Sequence, residues 1–265
     1  MLAQRVITAL VLGVAVVAAV LLLPTAGVVA LFGVLWLAGA WEWAQFAKLA
    51  GGRRLLFVGL MVCLLLPALW PVPQAVVVAA LVAALAWWAL AFGAVVTYPR
   101  AYGPAAVVLA GFVTLLPPWY LLAHLHRMEP GGRGLTLLAL ATVWAADIGA
   151  YAVGRRLGRR KLAPAVSPGK TWEGVAGGLA AAALVAAAAA GPLGLPAGPL
   201  VLVCLATAAV SVLGDLNVSL FKRNVGVKDS GTLLPGHGGV LDRIDSLTAA
   251  IPVFALGLRV LGLRA

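Results

Sequence analysis

The chain has 265 residues, of which 63% are hydrophobic and only 10% carry a charge, whereas about 25% of residues are charged in an average soluble protein. Its formal net charge is +11, from 19 Lys and Arg against 8 Asp and Glu. This composition excludes an ordinary soluble domain. It also argues against nucleic-acid binding, because no soluble basic domain is present to form a groove. We therefore expect an integral membrane protein.

A spanning helix needs roughly 20 apolar residues. Apolar runs of about this length recur along the whole chain and are separated by short segments with Pro, Gly or charged residues. The predicted fold is an all-α polytopic bundle that forms one transmembrane domain over residues 1–265. We expect residues 1–133 to act mainly as scaffold and residues 134–265 to carry the catalytic helices and loops. The nine predicted spans are residues 6–23, 26–47, 55–70, 74–96, 104–123, 134–153, 172–190, 200–215 and 247–261.

Alternate connections between these spans differ strongly in basic residues. One side of the membrane receives fifteen Lys and Arg and the other receives four. The positive-inside rule therefore predicts a cytoplasmic N-terminus and an external C-terminus in a multi-pass protein of the cytoplasmic membrane. Seven of the eight carboxylates, all except Glu129, fall at or near the cytoplasmic ends of the spans. Since both signs of charge converge on one face, we expect a polar site there.

The first of two polar segments covers residues 147–178. Asp147 lies within a predicted span, and the stretch SPGKT, which contains Ser167, Lys170 and Thr171, precedes Glu173 at a predicted helix start. A hydroxyl residue followed by Glu is typical of helix capping. A helix N-terminus with hydroxyls and a lysine nearby is also a favourable anion site. Both roles, capping and substrate binding, are therefore open for these residues.

The second polar segment, residues 211–246, holds four of the eight carboxylates. Charge is costly in a lipid-facing protein, so this concentration indicates a functional site. Asp242 and Asp245 are three residues apart and can point inward together from one helix. Carboxylates suit a hard cation such as Mg²⁺, while Lys and Arg bind phosphate charge. Buried ion pairs that only lock helices together are the alternative, but they do not explain the accompanying glycine-rich turns.

These residues resemble the phosphatidate cytidylyltransferase family, also called CDP-diacylglycerol synthase. The family's elements Ser-x-x-Lys-Arg, Lys-Asp-Ser-Gly, Leu-Pro-Gly-His-Gly-Gly and Asp-Arg-x-Asp stand between Ser219 and Asp245. Upstream elements match within residues 147–174, and residues 40–43, AWEW, are similar to the family's second span. Val218 departs from the family, whose members often have Glu there. If that Glu supports the metal or substrate, either Asp245 or Asp229 takes its place or the activity is weaker.

The resemblance implies that the protein transfers the CMP moiety of CTP to phosphatidate, forming CDP-diacylglycerol and pyrophosphate. It implies Mg²⁺, with a second cation as an option, and the metal ligands Asp215, Asp242 and Asp245. The implied catalytic residues are Asp215, Asp242, Lys222, Lys228 and His237. The implied substrate-binding residues are Asp147, Ser167, Lys170, Thr171, Glu173, Ser219, Arg223, Asp229 and Arg243. Expected partners are CTP or dCTP, phosphatidate, the lipid bilayer and, as one option for assembly, a second copy in a homodimer.

Two rival functions are compatible with the same sequence. A CTP-dependent lipid-alcohol kinase of related architecture would let a hydroxyl attack the γ-phosphorus, which demands a base. A membrane transporter would use intramembrane charges to bind its substrate, and short helices interrupted by Gly or Pro permit that. The polar residues gather at one face rather than at mid-depth in two matching halves, which argues against transport.

Overall fold

The computed structural model describes residues 2–233 and 238–262, with side chains from residue 11 onward. Over these ranges the chain forms nine α-helices and one two-stranded antiparallel sheet. The helices are α1 (Leu2–Leu22), α2 (Thr25–Phe46), α3 (Gly51–Leu65), α4 (Gln74–Val96), α5 (Pro104–Arg127), α6 (Gly132–Leu157), α7 (Trp172–Leu193), α8 (Ala197–Asn224) and α9 (Leu241–Val260). A 3₁₀ helix, Leu66–Leu69, continues α3, and strands β1 (Lys161–Ala163) and β2 (Ser167–Thr171) lie between α6 and α7.

Each predicted span corresponds to one helix, and α4 has the predicted bounds. The main differences are at the last two helices. Helix α8 continues past Asp215 to Asn224, and α9 begins at Leu241 rather than at residue 247. The charged residues near these ends have partners: Lys222 of α8 pairs with Asp242 of α9, and Asp215 of α8 pairs with Lys170 of β2.

Seven helices in the described part of the chain are long and apolar enough to cross a membrane. They are α2 to α8, where α3 is counted together with its 3₁₀ extension. In α1, the apolar stretch described with side chains, Val11–Leu22, is shorter. Helix α9 carries four charged residues, Asp242, Arg243, Asp245 and Arg259. The fold is therefore a polytopic helical bundle with one small hairpin.

Helices α6 and α7 pack with their backbones in close approach. The buried stripe of α7 consists of small residues four positions apart, namely Gly174, Gly178, Ala182, Ala186 and Ala190. A Cβ atom on Gly178 would lie 2.7 Å from the carbonyl oxygen of Ala146. Small residues at this spacing are what allows two membrane helices to approach so closely. The face of α6 that carries glycines is thus used for helix packing.

Tryptophans tie α2 to the rest of the bundle. The indole N–H of Trp36 donates to the carbonyl of Leu115 at 2.9 Å, and that of Trp43 donates to Val107 at 2.8 Å. The Trp43 ring also packs on Phe221 of α8, with 5.0 Å between ring centroids. These contacts fix the last turns of α2 against α5 and α8, at the end of the bundle where α7 and α9 begin. We call this end the site end.

Candidate functional site

The β1–β2 hairpin, which the sequence did not predict, holds the SPGKT stretch against the helices. Lys161 pairs with Thr171 and Ala163 with Ser167. Arg223, near the end of α8, donates from Nε to the carbonyl of Val166 at 3.2 Å. The hairpin gave no sequence signal because its strands are short, contain Pro and Gly, and show no apolar alternation.

Thr171 caps the start of α7, which confirms the capping role for this residue. The Thr171 hydroxyl accepts the backbone N–H of Gly174 at 3.1 Å. The Glu173 carboxylate accepts the backbone N–H groups of Arg159 and Arg160 at 3.1 and 3.2 Å. Glu173 therefore fastens the connection between α6 and β1, an arrangement different from a capping box.

An ion pair joins the two polar segments. Lys170 Nζ of β2 lies 2.7 Å from Asp215 Oδ2 of α8. The Ser219 hydroxyl, one turn further along α8, donates to Asp215 Oδ1 at 3.1 Å. The two side chains of the pair keep 24% and 31% of their surface exposed. Residues from both segments therefore form one partly solvent-accessible site.

Two more carboxylates surround this pair. Asp147 of α6 and Asp245 of α9 interact electrostatically with Lys170 and Asp215. Burial by itself would lower the pKa of Lys170, but the neighbouring carboxylates, Asp215 first, raise that pKa above its ordinary value. The lysine is therefore protonated at neutral pH. We call Asp147, Lys170, Asp215 and Asp245 the acidic cluster.

A second network lies deeper, between the ends of α8 and α9. Lys222 Nζ lies 2.6 Å from Asp242 Oδ1, and their side chains are only 10% and 11% exposed. Asp242 Oδ2 accepts the backbone N–H groups of Ser230 and Gly239, at 2.9 and 3.3 Å. Both oxygens of this carboxylate are thus already engaged by the protein.

Glu42 of α2 completes the second network and is the residue that the sequence analysis missed. It is 2% exposed. Its Oε2 accepts the Ser230 hydroxyl at 2.9 Å and the N–H of Leu241 at 2.8 Å, and its Oε1 accepts the N–H of Val240 at 3.0 Å. We call Glu42, Lys222, Ser230 and Asp242 the loop clamp. The available signal was a single carboxylate in an otherwise apolar span.

The remaining predicted residues are more scattered. Ser167 begins β2. Arg223 bonds to the backbone carbonyls of Val166 and Val227. Arg243 is exposed and interacts electrostatically with Asp147. Lys228 and Asp229 are exposed, and His237 lies outside the described residues.

The three predicted metal ligands are divided between the two networks. Asp215 and Asp245 belong to the acidic cluster, whereas Asp242 is held by Lys222. Across residues 2–233 and 238–262, no group of three or more His, Cys, Asp or Glu side chains is arranged to hold one metal ion. Mg²⁺ commonly takes only one or two protein carboxylates and completes its shell with water and phosphate oxygens. Asp215 and Asp245 fit such an ion once Asp215 releases Lys170, and Asp242 would likewise have to release Lys222.

Comparison with known proteins gives a match over nearly the whole chain. A family model described as "Cytidylyltransferase family" matches residues 3–261. The chain is 46% identical over 262 residues to a phosphatidate cytidylyltransferase of Pseudomonas aeruginosa, covering 96% of each chain. It is 40% identical over 284 residues to a phosphatidate cytidylyltransferase of Haemophilus influenzae, covering 96% of this chain and 98% of that one. The similarity therefore extends over both polar segments and the helices that precede them.

Proposed function

The chain belongs to the cytidylyltransferase family, and from that premise we propose that it transfers the CMP moiety of CTP to phosphatidate, forming CDP-diacylglycerol and pyrophosphate. The name shared by its relatives supports the reaction. The contact between Lys170 and Asp215 supports the location, because it unites the two polar segments in one site. The protein is thus a membrane nucleotidyltransferase of phospholipid biosynthesis.

The chemistry needs no amino-acid nucleophile. The phosphate of phosphatidate is anionic at neutral pH and attacks the α-phosphorus of CTP directly, with pyrophosphate as the leaving group. Phosphoryl and nucleotidyl transfers of this kind depend mainly on positioning and on neutralising phosphate charge. A site made of fixed carboxylates, amines and hydroxyls, as in the acidic cluster and the loop clamp, suits that task.

Basic side chains from several elements would hold the phosphate oxygens. Lys170 is protonated at neutral pH and partly exposed, so it can exchange its contact with Asp215 for a contact with a substrate phosphate. Arg243 and Lys228 are exposed near the same end and would bind the approaching nucleotide. The hydroxyls of Ser167 and Ser219 would add hydrogen bonds. His237 keeps its implied catalytic role, as a contact to a phosphate or to the leaving group.

Mg²⁺ would be held by Asp215 and Asp245, with substrate phosphate oxygens completing its shell. When bound, the ion neutralises the nucleotide phosphates and the departing pyrophosphate. A second cation remains an option within the proposal. Asp242 supports the same site from the loop clamp, through its contact with Lys222.

We place the site end at the cytoplasmic face of a nine-span protein in which α1 and α9 also cross the membrane. The support is the distribution of basic residues, fifteen on that side against four on the other. This orientation lets CTP arrive from the cytosol while the acyl chains of phosphatidate remain in the bilayer. Assembly as a homodimer stays a prediction.

A product analysis with purified protein in lipid vesicles tests the reaction. CTP labelled at the α-phosphate should yield a labelled lipid and unlabelled pyrophosphate when phosphatidate and Mg²⁺ are present, and dCTP should be compared in parallel. Diacylglycerol is the matched control acceptor, because it has the same chains but presents a hydroxyl. Transfer of label from the γ-phosphate of CTP to a lipid alcohol would contradict the proposal in favour of a kinase. Uptake of solute into vesicles without nucleotide would favour transport.

A further inference from the structure

Glu42 joins three parts of the molecule that are remote in sequence. It lies on α2, and its carboxylate accepts hydrogen bonds from the start of α9 and from Ser230 in the connection between α8 and α9. The next turn of α2 adds Gln45, whose side-chain amide donates to the carbonyl of Ser230. One helix of the predicted scaffold therefore holds both described ends of the segment between Gly231 and Gly239, which we call the glycine-rich loop.

The two glycines that flank the loop fit closely against this carboxylate. A Cβ atom on Gly239 would lie 2.5 Å from Glu42 Oε2, and one on Gly231 would overlap Glu42 Oε1. Such distances are far below an ordinary contact. The loop ends can therefore reach Glu42 only because both positions lack a side chain.

The influence of Glu42 extends to the acidic cluster through backbone and side-chain contacts. Ser230, which Glu42 holds by its hydroxyl, donates its backbone N–H to Asp242, and Asp242 in turn pairs with Lys222. Lys222 stands two turns beyond Asp215 on the same face of α8. It also interacts electrostatically with Asp245.

We infer that Glu42 is a positioning residue for the reaction: it closes the base of the glycine-rich loop and, through Ser230 and Asp242, fixes Lys222 beside the acidic cluster. The inference rests on the proposed function for the identity of the reaction. Glu42 does not contact the acidic cluster itself. Its effect on turnover should therefore depend on an intact Asp242.

A double-mutant cycle separates this role from simple stabilisation of the fold. The variants are Glu42→Gln, Asp242→Asn and the double variant, each assayed for formation of CDP-diacylglycerol. Glutamine keeps the shape of Glu42 but replaces one of its two acceptor oxygens with an NH₂ group. That group is a donor and cannot accept a hydrogen bond from the N–H groups. Removing a partner that orients a functional side chain typically costs about 10- to 100-fold in activity, and we expect such a loss in kcat/KM for Glu42→Gln. In the Asp242→Asn background, the same change should cost less than about threefold, because coupled residues are not additive.

Glu129→Gln is the matched control, since Glu129 is exposed near the opposite end of the bundle and should keep wild-type turnover. Full activity of Glu42→Gln, or equal losses in both backgrounds of the cycle, would overturn the inference. A loss of folded protein with unchanged kcat and KM per folded molecule would overturn it as well. If the wild-type protein itself forms no CDP-diacylglycerol, the proposed function fails instead, so the two failures are distinguishable.

Two further variants keep the test decisive if Glu42→Gln cannot be purified. Ser230→Ala removes one of the hydrogen bonds to Glu42 and leaves the carboxylate in place. Its loss of activity should likewise shrink when Asp242→Asn is present. Glu42→Asp retains the charge, so it should recover more turnover than any neutral replacement that folds. Additive losses for Ser230→Ala, or an inactive Glu42→Asp with wild-type stability, would contradict the role.

Discussion

The acidic cluster and the loop clamp contain the same kinds of residues but differ in how completely these are satisfied. In the acidic cluster, Lys170 and Asp215 keep 24% and 31% of their side-chain surface. In the loop clamp, Lys222 and Asp242 keep only 10% and 11%. The Glu42 and Asp242 carboxylates each accept three hydrogen bonds or ion-pair contacts from the protein.

This difference separates the part of the site that can exchange partners from the part that holds it in place. A partly exposed carboxylate can give up a lysine in favour of a metal ion or water at modest cost. A buried carboxylate that loses a partner is left uncompensated, which is strongly unfavourable. We therefore propose that the number of engaged acceptors, rather than the density of charge, distinguishes ligand-binding from positioning residues here.

The largest effect should come from the acidic cluster. We expect Asp215→Asn to reduce kcat/KM by about 10³-fold, as is found when a group that stabilises transition-state charge is removed. Because Asp215 is partly exposed, the free energy of unfolding should change by less than about 1 kcal/mol. CDP-diacylglycerol formation and thermal unfolding of the same preparation measure both quantities. Turnover like that of wild type at saturating Mg²⁺ would remove Asp215 from the proposed metal site.

The buried ion pair of the loop clamp, between Lys222 and Asp242, should respond mainly through stability when its cation is removed. Lys222→Met leaves Asp242 buried without its cation, and breaking a buried pair typically costs about 3 kcal/mol or more. Adding Asp242→Asn should recover part of that loss, since the uncompensated charge disappears. Unfolding in a fixed detergent or lipid composition checks this order. If the Lys222→Met single variant were as stable as wild type, the proposed difference in stability contribution between the loop clamp and the acidic cluster would be wrong.

The pH dependence of stability in a Lys170 variant tests the ion pair of the acidic cluster. The pKa of Lys170 is raised in the folded protein. The pairing of Lys170 with Asp215 therefore stabilises the fold fully below the ordinary lysine pKa of about 10.4. This stabilisation is lost only as the pH rises through the higher pKa of the folded state. Lys170→Met should be less stable than wild type by about 1 kcal/mol, as for a partly exposed pair. That difference should still be present at about pH 9. A difference that has vanished by that pH would show that another group governs the pair.

The sequence was sufficient for the helices but only partly for the site. Apolar runs predicted every helix because membrane spans must be long and apolar, whatever they pack against. The clusters of charge predicted most of the residues around Lys170, Asp215 and Lys222. Which carboxylate meets which cation depends on packing between distant helices, so the separation of Asp242 from Asp245 was not predictable. Glu42 was missed for the same reason, because the amides that it binds lie about two hundred residues away in the chain.

The smallest effect should come from Thr171, which stands beside the acidic cluster but caps α7. Thr171→Val keeps the size of the side chain and removes the acceptor for the Gly174 N–H, so unfolding should become easier by about 1 kcal/mol, the usual cost of a lost N-cap. If capping is its whole contribution, kcat and the KM for CTP should stay close to those of wild type once the folded fraction is accounted for. Thr171→Ser, which retains the hydroxyl, should restore the stability. A raised KM for CTP in Thr171→Val at unchanged stability would instead assign Thr171 to the substrate side of the site.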